Sequence, residues 1–205
     1  SIPSYTRFLE KFTAELHLEK FYLAGNSLGG NIAWNYAAEH PNQIEKLILI
    51  DASGLPTNKG QPFVFKMAKT PIINSIFLRV TPEFLIRKNL EQVYYDDSKI
   101  TEDLVIRYHK MALREGNRQA FIDRAKIDVK LDAPSNYNKL KSIQTPTLLI
   151  WGAQDEWIPL ENGKRMDSMI TNATLKVLQN SGHVPMEEHP KESLALLLTF
   201  LRDTI

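Results

Sequence analysis

The sequence F-Y-L-A-G-N-S-L-G-G, residues 21–30, decides how the whole chain is interpreted. Its first four residues are apolar and predict a short buried strand, and a helix of small residues is predicted to begin at about Leu28. Between them, Ser27 lies in a G-x-S-x-G pattern, which is typical of a sharp, strained turn from a strand into a helix. Gly25 and Gly29 are expected to let neighbouring backbone approach without a Cβ clash. The segment therefore predicts a serine hydroxyl that points away from a sheet.

The start of the predicted helix adds a second chemical feature. The backbone N–H of Leu28 lies at the helix N-terminus, where the helix dipole and unpaired N–H groups favour negative charge. It is therefore a candidate donor to the oxyanion that forms when a serine attacks a carbonyl carbon. A serine hydroxyl is a weak nucleophile near neutral pH, so a base that takes its proton is also needed.

His183 is the predicted base among the five histidines. It lies in the loop S-G-H, residues 181–183, directly after a predicted strand and at the same sheet edge as Ser27. The other four histidines lie within or beside predicted helices, where surface or packing roles are expected: His17, His40, His109 and His189.

An acid is needed to orient the imidazole and to stabilise its charged form. Asp155 is the predicted acid, because it lies in the loop W-G-A-Q-D that follows the predicted strand 147–151. Asp51 is the alternative, since it comes directly after the strand 47–50 and its carboxylate also reaches the productive edge. Glu156 is a third candidate. If Asp155 is the acid, Asp51 is expected to form hydrogen bonds that shape the serine turn.

Strands alternate with helices over most of the chain, which predicts a parallel sheet with right-handed crossovers. The strands are continuous in apolar character, as expected when helices cover both faces of a sheet. They lie at 21–24, 47–50, 147–151 and 174–178, with an apolar helix face before the first (Tyr5, Phe8, Leu9, Phe12, Leu16) and another after the last (Leu194, Leu197, Leu198, Leu201).

The interval between the second and third strands breaks this alternation. Residues 55–139 contain several helix starts and no convincing strand. We expect a helical cap over a site at the strand ends, because open α/β sheets bind ligands at that edge. The chain then divides into a core segment 1–54, the cap 55–139 and a second core segment 140–205.

Composition argues against several classes of protein. The formal charge is +1 over 205 residues, so neither nucleic acid nor an anionic membrane surface is the expected partner. Cysteine is absent, which excludes disulfides and thiolate metal sites. No apolar run reaches the roughly 18 residues of a membrane span. We expect a small-molecule substrate, and serine–histidine–acid chemistry needs neither a metal nor an organic cofactor.

Four segments together resemble the α/β-hydrolase superfamily, in particular its capped esterase, lipase and carbon–carbon hydrolase group. The order serine, acid, histidine along the chain is the one this family uses. The resemblance covers nearly the whole chain and implies the α/β-hydrolase fold, a parallel sheet flanked by helices with a helical cap inserted. The segments are F-Y-L-A-G-N-S-L-G-G (21–30), K-L-I-L-I-D-A-S-G-L-P (46–56), T-P-T-L-L-I-W-G-A-Q-D-E-W-I-P (145–159) and N-S-G-H-V-P-M-E-E-H-P (180–190).

The resemblance also implies that the family's first four strands are absent from this sequence, together with the loop that supplies a second oxyanion donor. An N-terminal part of the same polypeptide would then be needed to complete the fold. We therefore expect little activity from these 205 residues alone. We also expect the strand 21–24 to form an exposed sheet edge.

The family resemblance separates several possible reactions. A serine at the turn argues against the dehalogenases and epoxide hydrolases of this fold, which use aspartate. The G-N-S-x-G-G turn is shared with meta-cleavage-product hydrolases, which cut a carbon–carbon bond and usually carry a tryptophan after the histidine; Val184 stands there instead. The expected function is hydrolysis of carboxylic esters through an acyl-enzyme, with Ser27, Asp155 and His183 as the catalytic triad.

Three alternatives stay open: carbon–carbon hydrolysis, a cofactor-free haloperoxidase or perhydrolase activity, and a non-enzymatic small-molecule receptor. No substrate-binding residue is assigned by the sequence. Several aromatic residues of the cap are candidates for an acyl pocket, with simple core packing as the other interpretation: Phe63, Phe65, Phe77, Phe84 and Tyr94.

Overall fold

A parallel sheet of four strands forms the centre of the computed structural model, which describes residues 1–57, 63–127 and 137–202. The strands lie side by side in chain order, β1-β2-β3-β4. They are β1 (Phe21–Asn26), β2 (Ile44–Ile50), β3 (Thr147–Gly152) and β4 (Ala173–Leu178). The four predicted strands are therefore confirmed, and each extends beyond its predicted apolar run by one to three residues at one end.

Helices lie between and beyond the strands. The helices of the sheet layers are α1 (Ile2–Glu15), α2 (Leu28–Glu39), α8 (Leu160–Met169), α9 (Pro185–Glu188) and α10 (Pro190–Arg202). Between β2 and β3 the chain forms α3 (Phe63–Lys69), α4 (Pro71–Arg79), α5 (Glu83–Val93), α6 (Glu102–Ala112) and α7 (Asn117–Lys126), followed by a 3₁₀ turn at Tyr137–Ser142.

The core lies on both faces of the two central strands. On one face Leu47, Leu49 and Trp151 pack with side chains of α2 and α8. On the other face Ile48 and Ile150 pack against the last helix. Each fully buried leucine or isoleucine contributes about 1.5–3 kcal/mol relative to an exposed one, so continuous apolar strands fit this sandwiched position.

The predicted helix α1 is confirmed, and Leu9 of its apolar face packs against the core, but the rest of that face is not buried. Tyr5, Phe8, Phe12 and Leu16 are exposed, with Phe8 at 67%, and the Phe8 and Phe12 rings stack with centroids 6.3 Å apart. The helix packs on α2 through its other side, where Thr13 Oγ1 lies 3.2 Å from the Tyr36 hydroxyl. A short threonine fits that close helix–helix contact, so tertiary packing selects a face with fewer large apolar side chains.

The predicted face of α10 is half right. Leu197 and Leu201 pack against β2 and β3, but Leu194 and Leu198 are exposed at 52% and 39%.

Strand β1 forms an open edge of the sheet, because it has no second neighbour among the described residues. Tyr22 on this strand is half exposed. The predicted exposed edge at β1 is therefore confirmed within the described chain.

The five helices α3–α7 form what we call the helical insertion, described over residues 63–127. That range contains no strand. Parts of the predicted cap, 58–62 and 128–136, lie outside the described residues. Leu55 and Tyr137, near the two ends of the predicted cap, pack against the core of the sheet. Of the helices that the structure describes, none has the length and apolar character that crossing a membrane requires.

Candidate active site

Ser27 lies on the predicted turn between β1 and α2, with φ 52° and ψ −115°. A non-glycine residue at positive φ stores backbone strain, so the surrounding structure must hold it there. Its N–H donates to the Ile50 carbonyl at 3.0 Å, and its own carbonyl accepts from the N–H groups of Asn31 and Ser53. The turn is therefore fixed from α2 and from the end of β2.

Two glycines allow this turn to pack closely, and they are not the pair that the motif suggests. A Cβ at Gly25 would lie 2.3 Å from the Gly29 carbonyl, and one at Gly30 would lie 2.5 Å from Cβ of Ala52. A Cβ at Gly29 would meet nothing within 4 Å. The expectation for Gly25 is confirmed, and that for Gly29 is wrong, because Gly30 rather than Gly29 faces the loop after β2.

His183 and Asp155 form a buried pair. His183 Nδ1 lies 2.8 Å from Asp155 Oδ2, and both residues are only 3% exposed. The other oxygen of Asp155 accepts two backbone N–H groups, from Trp157 at 2.7 Å and Ile158 at 2.9 Å. These hydrogen bonds fix the orientation of the carboxylate. Within the described residues, His183 Nε2 has no hydrogen-bond partner.

The pair and Ser27 lie at the same edge of the sheet. Asn26, the residue before the serine, donates from Nδ2 to the Ile50 carbonyl and to the His183 carbonyl, each at 3.2 Å. This amide joins the ends of β1 and β2 to the loop that follows β4. The structure thus brings the three predicted triad residues to the carboxyl ends of the strands.

Asp51 is the fourth polar group at this edge. It is fully buried at φ 41°, and its Oδ1 accepts the Gly152 N–H at 2.9 Å. Burial, and then the nearby charge of Asp155, raise the pKa of Asp51 well above its ordinary value. The raised pKa favours the neutral form of Asp51.

The other candidates are placed elsewhere. Glu156 is exposed. Three of the remaining histidines have structural partners: His40 stacks on Tyr36, His109 Nε2 lies 2.7 Å from the Thr81 carbonyl, and His189 Nε2 lies 2.8 Å from the Asn180 carbonyl.

A cluster of two carboxylates and an imidazole can bind a metal ion. In the described part of the chain, ligand atoms of Asp51, Asp155 and His183 lie within 4.8 Å of one another. Hydrogen bonds already engage all three groups, however, because Nδ1 of the imidazole is directed to Asp155 and Asp51 Oδ1 accepts the Gly152 N–H. The arrangement fits an acid that orients a base.

Two glutamates that the sequence analysis did not select connect the histidine loop to the helical insertion. The Glu187 carboxylate accepts from the hydroxyls of Tyr94 and Tyr108 at 2.7 and 2.8 Å and from Arg107 at 2.8 Å. Burial first, and then the Glu187 carboxylate, raise the pKa of both tyrosines. Both tyrosines therefore stay protonated and act as donors.

Glu188 binds the backbone of both the helical insertion and the histidine loop. Its carboxylate accepts the N–H groups of Tyr95 and Asp96 at the end of α5 and the N–H of Gly182 beside the histidine. The His183 N–H donates to the Val93 carbonyl at 2.7 Å. The position of the imidazole is thus coupled to helix α5 of the insertion.

Trp157 is a further residue of the site that motif analysis did not select. Its ring lies 5.3 Å from the His183 ring and 5.7 Å from Phe65 of α3, centroid to centroid. It therefore lies between the candidate base and the helical insertion.

The aromatic candidates for an acyl pocket divide between several places. Phe77 lines a cavity in the insertion, and Phe65 packs against Phe121, which lines it too. Phe84 is 64% exposed and Tyr94 is committed to Glu187, so these two candidates are wrong. The side chain of Phe63 lies outside the described residues.

Fold and site together define an α/β protein with a serine turn and a buried acid–histidine pair at the carboxyl edge of a parallel sheet. The model of the alpha/beta hydrolase family matches residues 3–196. The chain therefore belongs to the alpha/beta hydrolase family, whose members include hydrolases of several kinds.

Two relatives illustrate that range. The chain is 31% identical over 189 residues to 2-hydroxy-6-oxononadienedioate/2-hydroxy-6-oxononatrienedioate hydrolase 2 of Pseudomonas putida, covering 91% of this chain and 64% of that protein. It is 27% identical over 214 residues to a monoacylglycerol lipase of Homo sapiens, covering 98% of this chain and 61% of the lipase. The chain thus spans somewhat less than two thirds of the length of these relatives.

Solved structures show the same fold. A meta-cleavage product hydrolase from Pseudomonas fluorescens IP01 superposes with a TM-score of 0.82 at 21% identity, covering 98% of this chain and 71% of that one. A serine hydrolase involved in carbazole degradation superposes with a TM-score of 0.80 at 20% identity, covering 98% and 71%.

Proposed function

We propose that this protein is a serine hydrolase that cleaves carboxylic esters through an acyl-enzyme, with Ser27, Asp155 and His183 as its catalytic triad. One observation carries the proposal. The buried pair between His183 Nδ1 and Asp155 Oδ2, 2.8 Å apart, leaves Nε2 without a partner at the sheet edge where Ser27 is held on a strained turn.

The reaction follows from the roles of these atoms. His183 Nε2 takes the Ser27 proton while Oγ attacks the ester carbonyl carbon, and Asp155 stabilises the imidazolium that forms. The tetrahedral intermediate collapses, the carbon–oxygen bond to the alcohol breaks, and His183 protonates the leaving oxygen. Water then attacks the acyl-enzyme with the same base, which releases the acid and restores the serine.

Leu28 supplies one donor for the oxyanion. Helix α2 begins at Leu28, so its N–H belongs to the first turn, where N–H groups lack intrahelical partners and the helix dipole favours negative charge. A preorganised donor of this kind lowers the energy of the transition state more than that of the substrate, because the oxygen gains its charge only there.

In this proposal residues 55–139, which include the helical insertion, form a cap, and residues 1–54 and 140–205 form the two core segments. Support comes from the contacts of Glu187 and Glu188, which join α5 and α6 to the residues directly after the histidine. A cap held in this way excludes water from the site and strengthens the electrostatic interactions within it.

Carbon–carbon hydrolysis is the second candidate, since a relative at 31% identity is named for a 2-hydroxy-6-oxo dienedioate. The residue after the base favours esters, because Val184 stands where the sequence resemblance to carbon–carbon hydrolases implies a tryptophan. The same triad serves both reactions, so only the substrates separate them.

Turnover of matched substrates tests the proposed function. We expect p-nitrophenyl butyrate to be hydrolysed with a kcat/KM at least about 100-fold higher than that for a 2-hydroxy-6-oxo dienoic acid, a difference of about 2.7 kcal/mol in transition-state binding. Ser27→Ala should abolish the ester activity, and Ser168→Ala, an exposed serine on α8, should retain it. The reverse preference would assign the protein to carbon–carbon hydrolysis.

A further inference from the structure

Glu188 is a buried acidic residue that the proposed reaction does not use. It is the last residue of the short helix α9, follows the candidate base closely along the chain, and has only 4% of its surface exposed. Acidic side chains are almost never fully buried unless they have partners. The partners of this carboxyl group therefore indicate what it contributes to the site.

The Glu188 carboxylate accepts hydrogen bonds from three main-chain donors. Its Oε1 accepts the N–H groups of Tyr95 and Asp96, which follow helix α5, at 2.9 and 3.2 Å. Its Oε2 accepts the N–H of Gly182, the residue before His183. A backbone N–H is a donor only, so both ends of the Glu188 head group must be acceptors. A carboxylate meets that requirement, whereas the amide of glutamine has one oxygen and one donor group.

These contacts hold the backbone that carries the imidazole. The His183 N–H donates to the Val93 carbonyl at 2.7 Å, and the Gly182 N–H, one peptide earlier, donates to Glu188. A Cβ at Gly182 would lie 2.3 Å from the Val93 carbonyl oxygen, so the histidine loop packs directly against the chain at the end of α5. The imidazole itself is held at Nδ1 by Asp155. The loop and the ring are thus fixed at separate points.

We propose that Glu188 is a positioning residue for the base. By joining the Gly182 N–H to the backbone after α5, it fixes the part of the chain from which the His183 imidazole extends. This inference rests on the proposed triad, in which His183 takes the proton of Ser27. A displacement of about 1 Å between reacting groups can lower a rate by about 100-fold. Glu188 therefore affects the chemical step through His183.

The neighbouring Glu187 separates this role from simple attachment of the insertion. Its carboxylate accepts from the Tyr94 and Tyr108 hydroxyls and from Arg107, all of which are side chains of the insertion. A hydroxyl can turn and accept a hydrogen bond from an amide, so glutamine can replace Glu187 and keep its contacts. The same substitution at Glu188 places an NH₂ group against a backbone N–H.

Steady-state kinetics of matched variants test the proposal. We expect Glu188→Gln to lower kcat for p-nitrophenyl butyrate by about 100-fold and to change KM by less than about twofold, because the base acts in the chemical step. Glu187→Gln should lower kcat by no more than about threefold, since its hydrogen bonds can be kept. Glu192→Gln, the same change at an exposed carboxylate of α10, should change neither constant by more than about twofold.

A double-mutant cycle shows whether Glu188 acts through His183. In a His183→Ala background, Glu188→Gln should lower the residual hydrolysis by less than about twofold, because no imidazole is left to position. A merely structural role would lower the residual activity by the same factor as the full activity. Circular dichroism reports whether each variant folds. If Glu188→Gln does not fold, Glu188→Asp keeps both acceptor oxygens on a shorter side chain, and its expected loss is about tenfold with His183 present and none without it.

Several results would overturn the inference. They are a kcat for Glu188→Gln within about threefold of that of the unaltered protein, an equal loss from Glu187→Gln, an equal loss in the His183→Ala background, or unfolding of both Glu188 variants.

Failure of the proposed function is a different result. If the unaltered protein hydrolyses the 2-hydroxy-6-oxo dienoic acid and not the ester, the ester hydrolysis is wrong, and the same cycle measured on that acid decides the role of Glu188. If the ester is hydrolysed and Glu188→Gln keeps its kcat, the proposed function stands and the inference about Glu188 fails. If neither compound is hydrolysed, both are wrong.

Discussion

Asp155→Asn is expected to lower kcat for ester hydrolysis by about 10⁴-fold while the protein stays folded. Asparagine keeps the shape of the side chain and can still accept the N–H groups of Trp157 and Ile158. It removes the negative charge that stabilises the imidazolium, and it can hold His183 in the wrong tautomer. Steady-state kinetics together with circular dichroism measure the two parts of this prediction.

Asp51→Asn is the matched control, because the same chemical change is made in the neighbouring buried carboxyl group. Burial and the charge of Asp155 raise the pKa of Asp51, which favours its neutral form, so the substitution changes its charge less than it changes that of Asp155. We expect a loss of kcat no larger than about tenfold, since an amide still accepts the Gly152 N–H. A larger loss from Asp51→Asn than from Asp155→Asn would make Asp51 the catalytic acid.

Gly25→Ala is expected to destabilise the fold by at least about 3 kcal/mol, at the upper end of overpacking effects. The new Cβ would lie 2.3 Å from the backbone carbonyl of Gly29, which cannot rotate away as a side chain can. Because β1 and α2 would have to separate, the serine turn itself would be displaced. Urea unfolding, or recovery of soluble protein if the loss is too large to titrate, measures the effect.

Gly29→Ala should change the stability of the fold in the opposite direction, although Gly29 lies in the same motif. A Cβ there meets nothing within 4 Å, and the residue is in the first turn of α2. Alanine should stabilise the helix by up to about 1 kcal/mol relative to glycine. Comparable destabilisation by the two substitutions would show that the close approach at Gly25 does not determine the packing of the turn.

The sequence predicts those elements in which the local pattern of apolar residues matches the burial of the side chains in the fold. The strands β2 and β3 are apolar throughout because both of their faces are covered, and the turn at Ser27 needs glycine where backbones nearly touch. Parallel strands in a right-handed arrangement then bring their following loops to one edge. On that basis Ser27, Asp155 and His183 could be predicted to lie at one edge, with Asp51 as the alternative acid.

Helix faces could not be predicted in the same way. Most of the apolar stripe of α1, including Phe8 and Phe12, is exposed although Leu9 packs against the core, and Thr6 and Thr13 are buried. An amphipathic pattern shows that a helix has an apolar face, but the neighbouring helix decides which face it contacts. A close approach to α2 suits threonine better than phenylalanine.

Contacts between distant segments were also beyond sequence analysis. Glu187 and Glu188 follow the histidine in a stretch that reads as an ordinary acidic helix turn. Their role depends on Tyr94, Tyr108 and the backbone just after α5, which lie 79 to 93 residues earlier in the chain. The pKa of Asp51 likewise depends on a carboxylate from another loop, which no local pattern reveals.

Covalent labelling of Ser27 tests the central claim most directly, because a fluorophosphonate reacts with a serine only when a neighbouring base activates it. After labelling and proteolysis, mass spectrometry should find the phosphonyl group on the peptide that contains residues 21–30. The adduct should be absent from Ser27→Ala and strongly reduced in His183→Gln. Failure of Ser27 to react in the folded protein, or a label on another serine, would contradict the proposed triad.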